Sequence, residues 1–378
     1  MEAKTILNAT QNQDGWIEDT LRDLVQQESP SEDPQAVNAA ADLVEQWAAA
    51  IGARSKRHKR RQFGDVLELH FGPSRSRQRP VLLLGHLDTV WPLGTLRTMP
   101  WRKAKGRLSG PGVLDMKAGV VMALAAINTL QQLKLARPIT LLLNSDEEVG
   151  SSISRPITEK LAKESSAVLV LEPAQGLAYK TARKGVGQYN VEVTGVGAHS
   201  GVDFERGHSA ILELTKLVQT ISGFTNLQRK LTVNCGVIAG GTRSNVVPSL
   251  ASAEIDVRIA KASDAAYVDR LFRKLKVSDP HCKLTITGGI NRPPMERKPG
   301  TIALFKKAQA LAAEIGFALE EASTGGGSDG NFTGALGVPT LDGMGAVGDG
   351  AHAAHESVVI EHLVPRTALL AAMIASIE

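Results

Sequence analysis

Residues 80–89, 138–151 and 167–173 each open as an unbroken apolar run and close on imidazole or carboxylate side chains. Runs this short, bounded by Pro or Gly, read as strands buried on both faces, the pattern of a parallel sheet. The first ends in His86 and Asp88, the second in Asp146, Glu147 and Glu148, the third in Glu172. If the three lie parallel, these groups leave the sheet at one end, where open α/β sheets place their ligands.

Helical spacing fills the intervals. Residues 15–27 and 33–51 predict two amphipathic helices, the second with Asp33 as cap, Pro34 in its first turn and Gly52 as its stop. A strand is expected over 62–72, an Ala-rich buried helix over 117–133 and a helix over 155–163. This βαβαβ alternation predicts a mostly parallel sheet flanked by helices, joined by right-handed crossovers. From residue 185 the period changes to two at 188–194, 231–238 and 251–259, with one helical stretch at 209–221, which describes a sheet with one open face. Helices are expected again at 300–315 and 360–377, with a glycine-rich turn at 325–330 and a short strand at 337–341 between them. The fold class is therefore α/β: a discontinuous domain of residues 1–183 and 292–378, interrupted by an α+β domain at 184–291.

The 378-residue length fits two domains. An aromatic content of 4% offers little for stacking bases, so no nucleic-acid partner is expected. Much of the net charge of +4 comes from residues 54–61, read as a solvated edge or hairpin. Cys235 and Cys282 are too few for a disulfide framework and are expected to be reduced core residues. The N-terminus lacks a basic region followed by an apolar stretch, and no apolar run approaches the ~20 residues that span a bilayer. A cytoplasmic protein without a membrane partner is expected.

His86, Asp115, Glu148, Glu172 and His352 offer two imidazoles and three carboxylates at strand ends or in glycine-bounded loops. Nitrogen and oxygen ligands without thiolate suit zinc, with manganese or cobalt as substitutes, and a bridging carboxylate lets the set hold two ions. Two metals sharing a hydroxide would attack a carbonyl, with amide hydrolysis as the natural use. Glu147, beside a ligand, would move the water's proton to the leaving amine. Asp88, two residues after His86, would hold the imidazole's other nitrogen. A different reading, a non-catalytic basic α/β protein binding nucleotide or nucleic acid, lacks the Gly-x-Gly-x-x-Gly or phosphate loop it needs.

Gly-His-Leu-Asp-Thr at 85–89, Gly-Pro-Gly-Val-Leu-Asp at 110–115, Asp-Glu-Glu-Val-Gly at 146–150, Leu-Glu-Pro at 171–173, Ala-His-Ser-Gly at 198–201, Gly-Thr-Arg-Ser-Asn-Val-Val-Pro at 241–248, and His352 with Glu356 together resemble the dizinc metallopeptidase family of glutamate carboxypeptidases, aminoacylases and succinyl-diaminopimelate desuccinylases. These motifs span nearly the whole chain in the family's order. The resemblance implies two zinc ions per chain, bridged by Asp115, with His86 and Glu172 completing opposite metals, Glu148 and His352 likewise, and Glu147 as the base. It selects His352 over His355. It also implies that residues 184–291 form a lid and dimerisation domain whose His199 stabilises the oxyanion, often in the partner subunit's site. Asn245 and Arg258, and more weakly Arg292, would contact the substrate's free carboxylate. Glu172 and the Gly-Gly-Gly-Ser-Asp stretch at 325–329 resemble the glutamate carboxypeptidase type. An N-acyl-amino-acid deacylase or a desuccinylase is the alternative. The Asp-Met-Lys at 115–117 departs from the acidic pair often found there.

Overall fold

The structure, a computed structural model, describes residues 2–378. The chain forms two compact units: the first runs to Ala182 and resumes over Arg297–Thr324 and Ser328–Glu378, and the second comprises Arg183–Glu296 with Gly325–Gly327. The second unit reaches beyond the 184–291 expected from the sequence. Arg183 and Met295 pair backbone to backbone, and Arg183 Nη1 donates to the carbonyl of Gly327 at 3.1 Å.

The first unit is built on a six-stranded sheet in the order Arg54–His58, Val66–Phe71, Ile139–Asn144, Val81–His86, Ala167–Val170, Thr340–Leu341. The first two pairings are antiparallel and the last three parallel. Every residue of Val81–His86 and Ile139–Asn144 is buried, and the strand pleat explains why both faces are apolar. Leu83, Leu141 and Leu143 pack into the larger core with the helices Ala118–Gln132 and Ile360–Ser376, whereas Leu82, Leu84 and Leu142 meet Ile157, Leu161 and Ala162 of the helix Arg155–Glu164. Each such leucine contributes about 1.5–3 kcal/mol on burial, so the sheet's centre is fixed by its sequence. The register aligns His86 with Asn144 and Leu84 with Val170, which brings the segments carrying Glu147, Glu148 and Glu172 out beside His86.

Three helices, not two, open the chain, because Ala3–Gln11 precedes Asp14–Gln26 and Pro34–Ala50. It has a single large fully buried side chain, Ile6, too little to mark a period. Asp33 caps the third helix, accepting from Gln35 N and Ala36 N at 3.0 Å each, and Gly52 stops it at φ +77°. The basic run becomes the edge strand Arg54–His58, where charge discourages further pairing. Val113–Gln132 corrects the expectation about apolar runs: it reaches 20 residues, with a mean hydropathy of 1.5 in its most apolar window. That window is 89% buried, so packing against the sheet accounts for its composition.

The second unit is a four-stranded antiparallel sheet, ordered Thr232–Gly240, Leu250–Ile259, Gly185–Thr194, Lys283–Arg292. Its buried face packs against the helices Ala210–Ser222 and Ser263–Arg273, while Gln188, Asn190, Glu192 and Thr194 stay exposed. Both cysteines are free, and of the two only Cys282 lies in the core as expected. Cys235 is only half-buried because its strand is an edge, and Cys282 is buried in the turn before Lys283–Arg292.

Candidate metal centre

His86 ends its strand with 1% of its surface exposed. Its Nδ1 lies 2.9 Å from the main-chain oxygen of Asp88, an acceptor, which assigns the proton to Nδ1 and the lone pair to Nε2. That Nε2 faces Asp115 Oδ1 at 3.3 Å and Glu172 Oε1 at 3.7 Å. The other oxygen of Asp115 stands 3.3 Å from His352 Nε2, which is 3.2 Å from Glu148 Oε1. Two lobes therefore share Asp115, one with His86 and Glu172, the other with Glu148 and His352. The partners of each pair meet at a histidine, Asp115 Oδ1 and Glu172 at His86 Nε2, and Asp115 Oδ2 and Glu148 at His352 Nε2, whereas the resemblance implied opposite metals for each pair.

Asp115 is placed by an irregular turn, Val113–Lys117, in which it and Met116 have non-helical dihedrals. It does not cap the helix that follows, since no side-chain cap bond forms there. Glu356, fully buried, grips that turn: Oε1 accepts from Leu114 N at 2.8 Å and Asp115 N at 3.0 Å, and Oε2 from Gly112 N at 3.0 Å and Trp91 Nε1 at 2.7 Å. Lys117, at the departure from the acidic pair, is buried and donates to the carbonyl of Gln27 at 2.7 Å, and burial pushes its pKa down to about 7.

Glu147 and Glu148 sit on the turn after Ile139–Asn144. Asp88 serves this turn more than it serves the imidazole: its carboxylate accepts from Glu147 N at 3.2 Å, Glu148 N at 3.1 Å and Ser31 Oγ at 2.7 Å, while its Oδ1 is 3.4 Å from His86 Nδ1. Ligand atoms of Glu147, His86 and Glu172 lie within 4.8 Å of one another, as do those of His86, Asp115 and Glu148. Sequence reasoning gave no role to Asp329, which is 3% exposed and holds both ends of the turn. It accepts from Asn144 Nδ2 and from Ser151 Oγ, each at 2.5 Å. The signals were its place in a glycine-rich loop and that loop's resemblance to the glutamate carboxypeptidase type.

Electrostatics point the same way. Hydrogen bonds donated to the Asp115 and Glu148 carboxylates push the pKa of His352 up to about 10. Burial works against a charged His86, yet Asp115 and Asp88 raise it well above the usual imidazole range. Burial likewise resists charge on Asp115, but the two histidines hold it below the ordinary carboxylate range. Such a field attracts cations, and a metal would enter by displacing protons.

His86 Nε2 and Asp115 Oδ1 are buried without a hydrogen-bond partner, although they face each other. Ligands about 2.0–2.1 Å from a tetrahedral zinc stand ~3.3–3.4 Å apart, close to the 3.2–3.3 Å that separate His86 from Asp115 and His352 from Asp115 and Glu148. The donor set fits metal ions.

The remaining expected residues lie in the second unit. His199 is in the short strand Ala198–His199, with Nδ1 accepting from Gly201 N at 3.1 Å. Asn245 is its neighbour, its carbonyl accepting from Ser200 N at 3.0 Å. Arg258 is bidentate to Asp256 at 3.0 and 2.9 Å and reaches the carbonyl of Gly325 at 3.3 Å. Arg292 is 5% exposed. His355, passed over in favour of His352, is exposed and 3.9 Å from Asp349.

A two-lobed cluster of imidazole and carboxylate at the ends of parallel strands defines a metal-dependent hydrolase. The chain belongs to Peptidase family M20/M25/M40, whose profile matches residues 82–376. It is similar to carboxypeptidase G2 of Pseudomonas sp. (strain RS-16), with 30% identity over 376 residues covering 96% of this chain and 89% of that protein. It is also similar to acetylornithine deacetylase of Myxococcus xanthus, with 27% identity covering 94% and 96%. Among solved structures, a tripeptidase of Staphylococcus aureus superposes with a TM-score of 0.80 at 19% identity, covering 96% of this chain and 98% of that one. A metallo-carboxypeptidase of Sulfolobus solfataricus gives 0.75 at 17%, covering 95% and 98%.

Proposed function

We propose that the protein hydrolyses an amide bond in a substrate with a free carboxylate, as a glutamate carboxypeptidase-like exopeptidase holding two zinc ions, for which cobalt or manganese can substitute. The observation that carries this reading is the buried, unpartnered pair His86 Nε2 and Asp115 Oδ1, with His352 set against the other oxygen of Asp115 and against Glu148. His86, Asp115 and Glu172 would hold one ion, and Asp115, Glu148 and His352 the other. Bound there, the ions would polarise the scissile carbonyl and make water more acidic. Glu147 takes the proton from water and passes it to the leaving amine. Asp88 fixes Glu147 and Glu148 through their main-chain N–H groups.

In the same reading His199 donates to the developing oxyanion, and Asn245, Arg258 and Arg292 bind the substrate's carboxylate, for which the arginine fork is suited. The second unit would act as a lid and as the contact of a homodimer. Two free cysteines fit a reducing, cytoplasmic setting. Similarity to an acetylornithine deacetylase favours a second reading, an N-acyl-amino-acid deacylase or desuccinylase.

Metal analysis of the purified protein tests the proposal. Near two zinc per chain is expected, lost in His86→Ala and Asp115→Ala, whereas Glu147→Gln keeps metal and loses turnover. Release assays on peptide and folate-like glutamates, N-acyl amino acids and succinylated diamines separate the two readings. A metal-free preparation with full activity would refute both.

A further inference from the structure

His86 Nε2 and Asp115 Oδ1 face each other at 3.3 Å with no hydrogen bond between them, so their spacing is set from outside the pair. Residues 27–31, the link between the helices Asp14–Gln26 and Pro34–Ala50, reach both sides of that gap. On the His86 side, Ser29 Oγ donates to the carbonyl of Leu87 at 2.6 Å, the carbonyl of Ser29 accepts from Thr89 N at 2.8 Å, and Ser31 N donates to the carbonyl of Thr89 at 3.2 Å. Ser31 Oγ donates to Asp88 Oδ2 at 2.7 Å. On the Asp115 side, Lys117 Nζ donates to the carbonyl of Gln27, the residue that caps the preceding helix at its C-terminus. Glu28 closes the circuit. Its carboxylate accepts from Gly94 N at 2.7 Å and Leu96 N at 2.8 Å, in the loop whose Trp91 bonds the Glu356 beneath Asp115.

The residue types suit this arrangement. Ser29 and Ser31 are buried, at 0% and 4% exposure, where a hydroxyl without a partner is costly, and both direct theirs to the segment that follows His86 rather than to the helices they connect. Pro30 between them has no N–H to satisfy, and it restricts Ser29 to an extended backbone that lets the link run parallel beside Thr89.

We propose that residues 27–31 are a positioning strap for the metal centre, setting the separation of His86 from Asp115, with Ser31 holding Asp88 and, through it, the turn of Glu147 and Glu148. The inference rests on the metal-centre reading above. Asp88 accepts from Glu147 N at 3.2 Å and Glu148 N at 3.1 Å, so the hydroxyl of Ser31 at 2.7 Å is the shortest contact that fixes its carboxylate. Without that donor the carboxylate can turn, and both main-chain bonds loosen with it.

Cobalt is the probe, titrated by its visible absorption into the chelator-treated full chain, with amide exchange of the metal-free protein and turnover of an N-acyl glutamate as further readouts. Ser31→Ala should weaken cobalt binding by about 10–100-fold and shift the visible band. In the metal-free protein it should speed amide exchange at Glu147 and Glu148 by about tenfold, the loss of roughly one buried hydrogen bond. Turnover should fall in kcat, with KM within about twofold of the parent's. Ser31→Thr keeps the hydroxyl and should restore these properties. Ser29→Ala, which cuts the bond to Leu87 and leaves the Asp88 carboxylate its donors, should also weaken cobalt. Cobalt affinity and exchange at the parent's level in both alanine variants, or Ser31→Thr as impaired as Ser31→Ala, would overturn the proposal. A parent chain that takes up no cobalt would overturn the metal centre itself and the strap with it.

Discussion

Glu356→Gln tests whether the bridging Asp115 is held by the acid beneath it. In the parent each carboxylate oxygen takes two donors, Leu114 N with Asp115 N on one side and Gly112 N with Trp91 Nε1 on the other. An amide has one acceptor oxygen, so in either orientation two of these four donors face an NH2 group. A buried donor left unsatisfied costs about 1–3 kcal/mol, which gives about 2–6 kcal/mol for two. Part of that is returned, because burial disfavours the charged form of Glu356 and raises its pKa. A net loss of about 2–3 kcal/mol is therefore expected, and because every 1.4 kcal/mol is tenfold, a turn displaced by that much should weaken metal binding by about 10–100-fold. Urea unfolding of chelator-treated protein reads the first quantity, and competition titration of zinc or cobalt reads the second. Unchanged stability together with a metal Kd within twofold of the parent would show that Asp115 is positioned without Glu356.

Asp329→Asn should leave zinc content near the parent's while turnover falls about tenfold or more at little-changed KM, since Asn144 and Ser151 no longer share one carboxylate and the Glu147 turn loosens. His352→Ala should remove one of two bound metals, and His355→Ala should remove none, as elemental analysis will read. Glu213, with its side chain 4% exposed, has its pKa lowered from 4.5 to about 2: burial opposes the charge, but Lys216 and the N–H of Ser278 prevail. A depressed carboxylate pKa stabilises the fold in full above about pH 4.5 and loses that contribution as pH falls toward 2. Glu213→Gln should thus be less stable than the parent at pH 7 by about 1–2 kcal/mol, discounted because Lys216 is solvent-exposed, and the gap should close on acidification in denaturant titrations. A gap that stays constant from pH 7 to 3 would refute that assignment.

The sheet was legible because its central strands are apolar on both faces, a pattern that period and length can register, and each ends in a side chain capable of binding metal. The helix Ser263–Arg273 was not anticipated, since only two of its apolar side chains, Val268 and Phe272, are fully buried and they stand among four charged positions. Which acid faces which imidazole was also hidden: Glu172 comes to face His86 Nε2 only because strands distant in sequence stand side by side in register. Least legible was the turn-holding role of the acids behind the site, of which Asp88 stood out only for the imidazole, Glu356 only within a motif, and Asp329 for no role at all. Asp88, Asp329 and Glu356 hold the metal-binding turns by accepting hydrogen bonds from backbone or side-chain donors, and a buried acceptor of this kind has no period and no partner at fixed spacing. The effect of Asp88 is nonetheless electrical as well as steric. Asp88 adds negative charge behind ligand-type groups, and the same charge that helps Asp115 raise the proton affinity of His86 would also attract a divalent cation. Asp88 therefore both holds the Glu147–Glu148 turn and strengthens the field that draws a cation to His86, which ties the site's chemistry to a residue whose own contacts are with main chain, hydroxyl and imidazole.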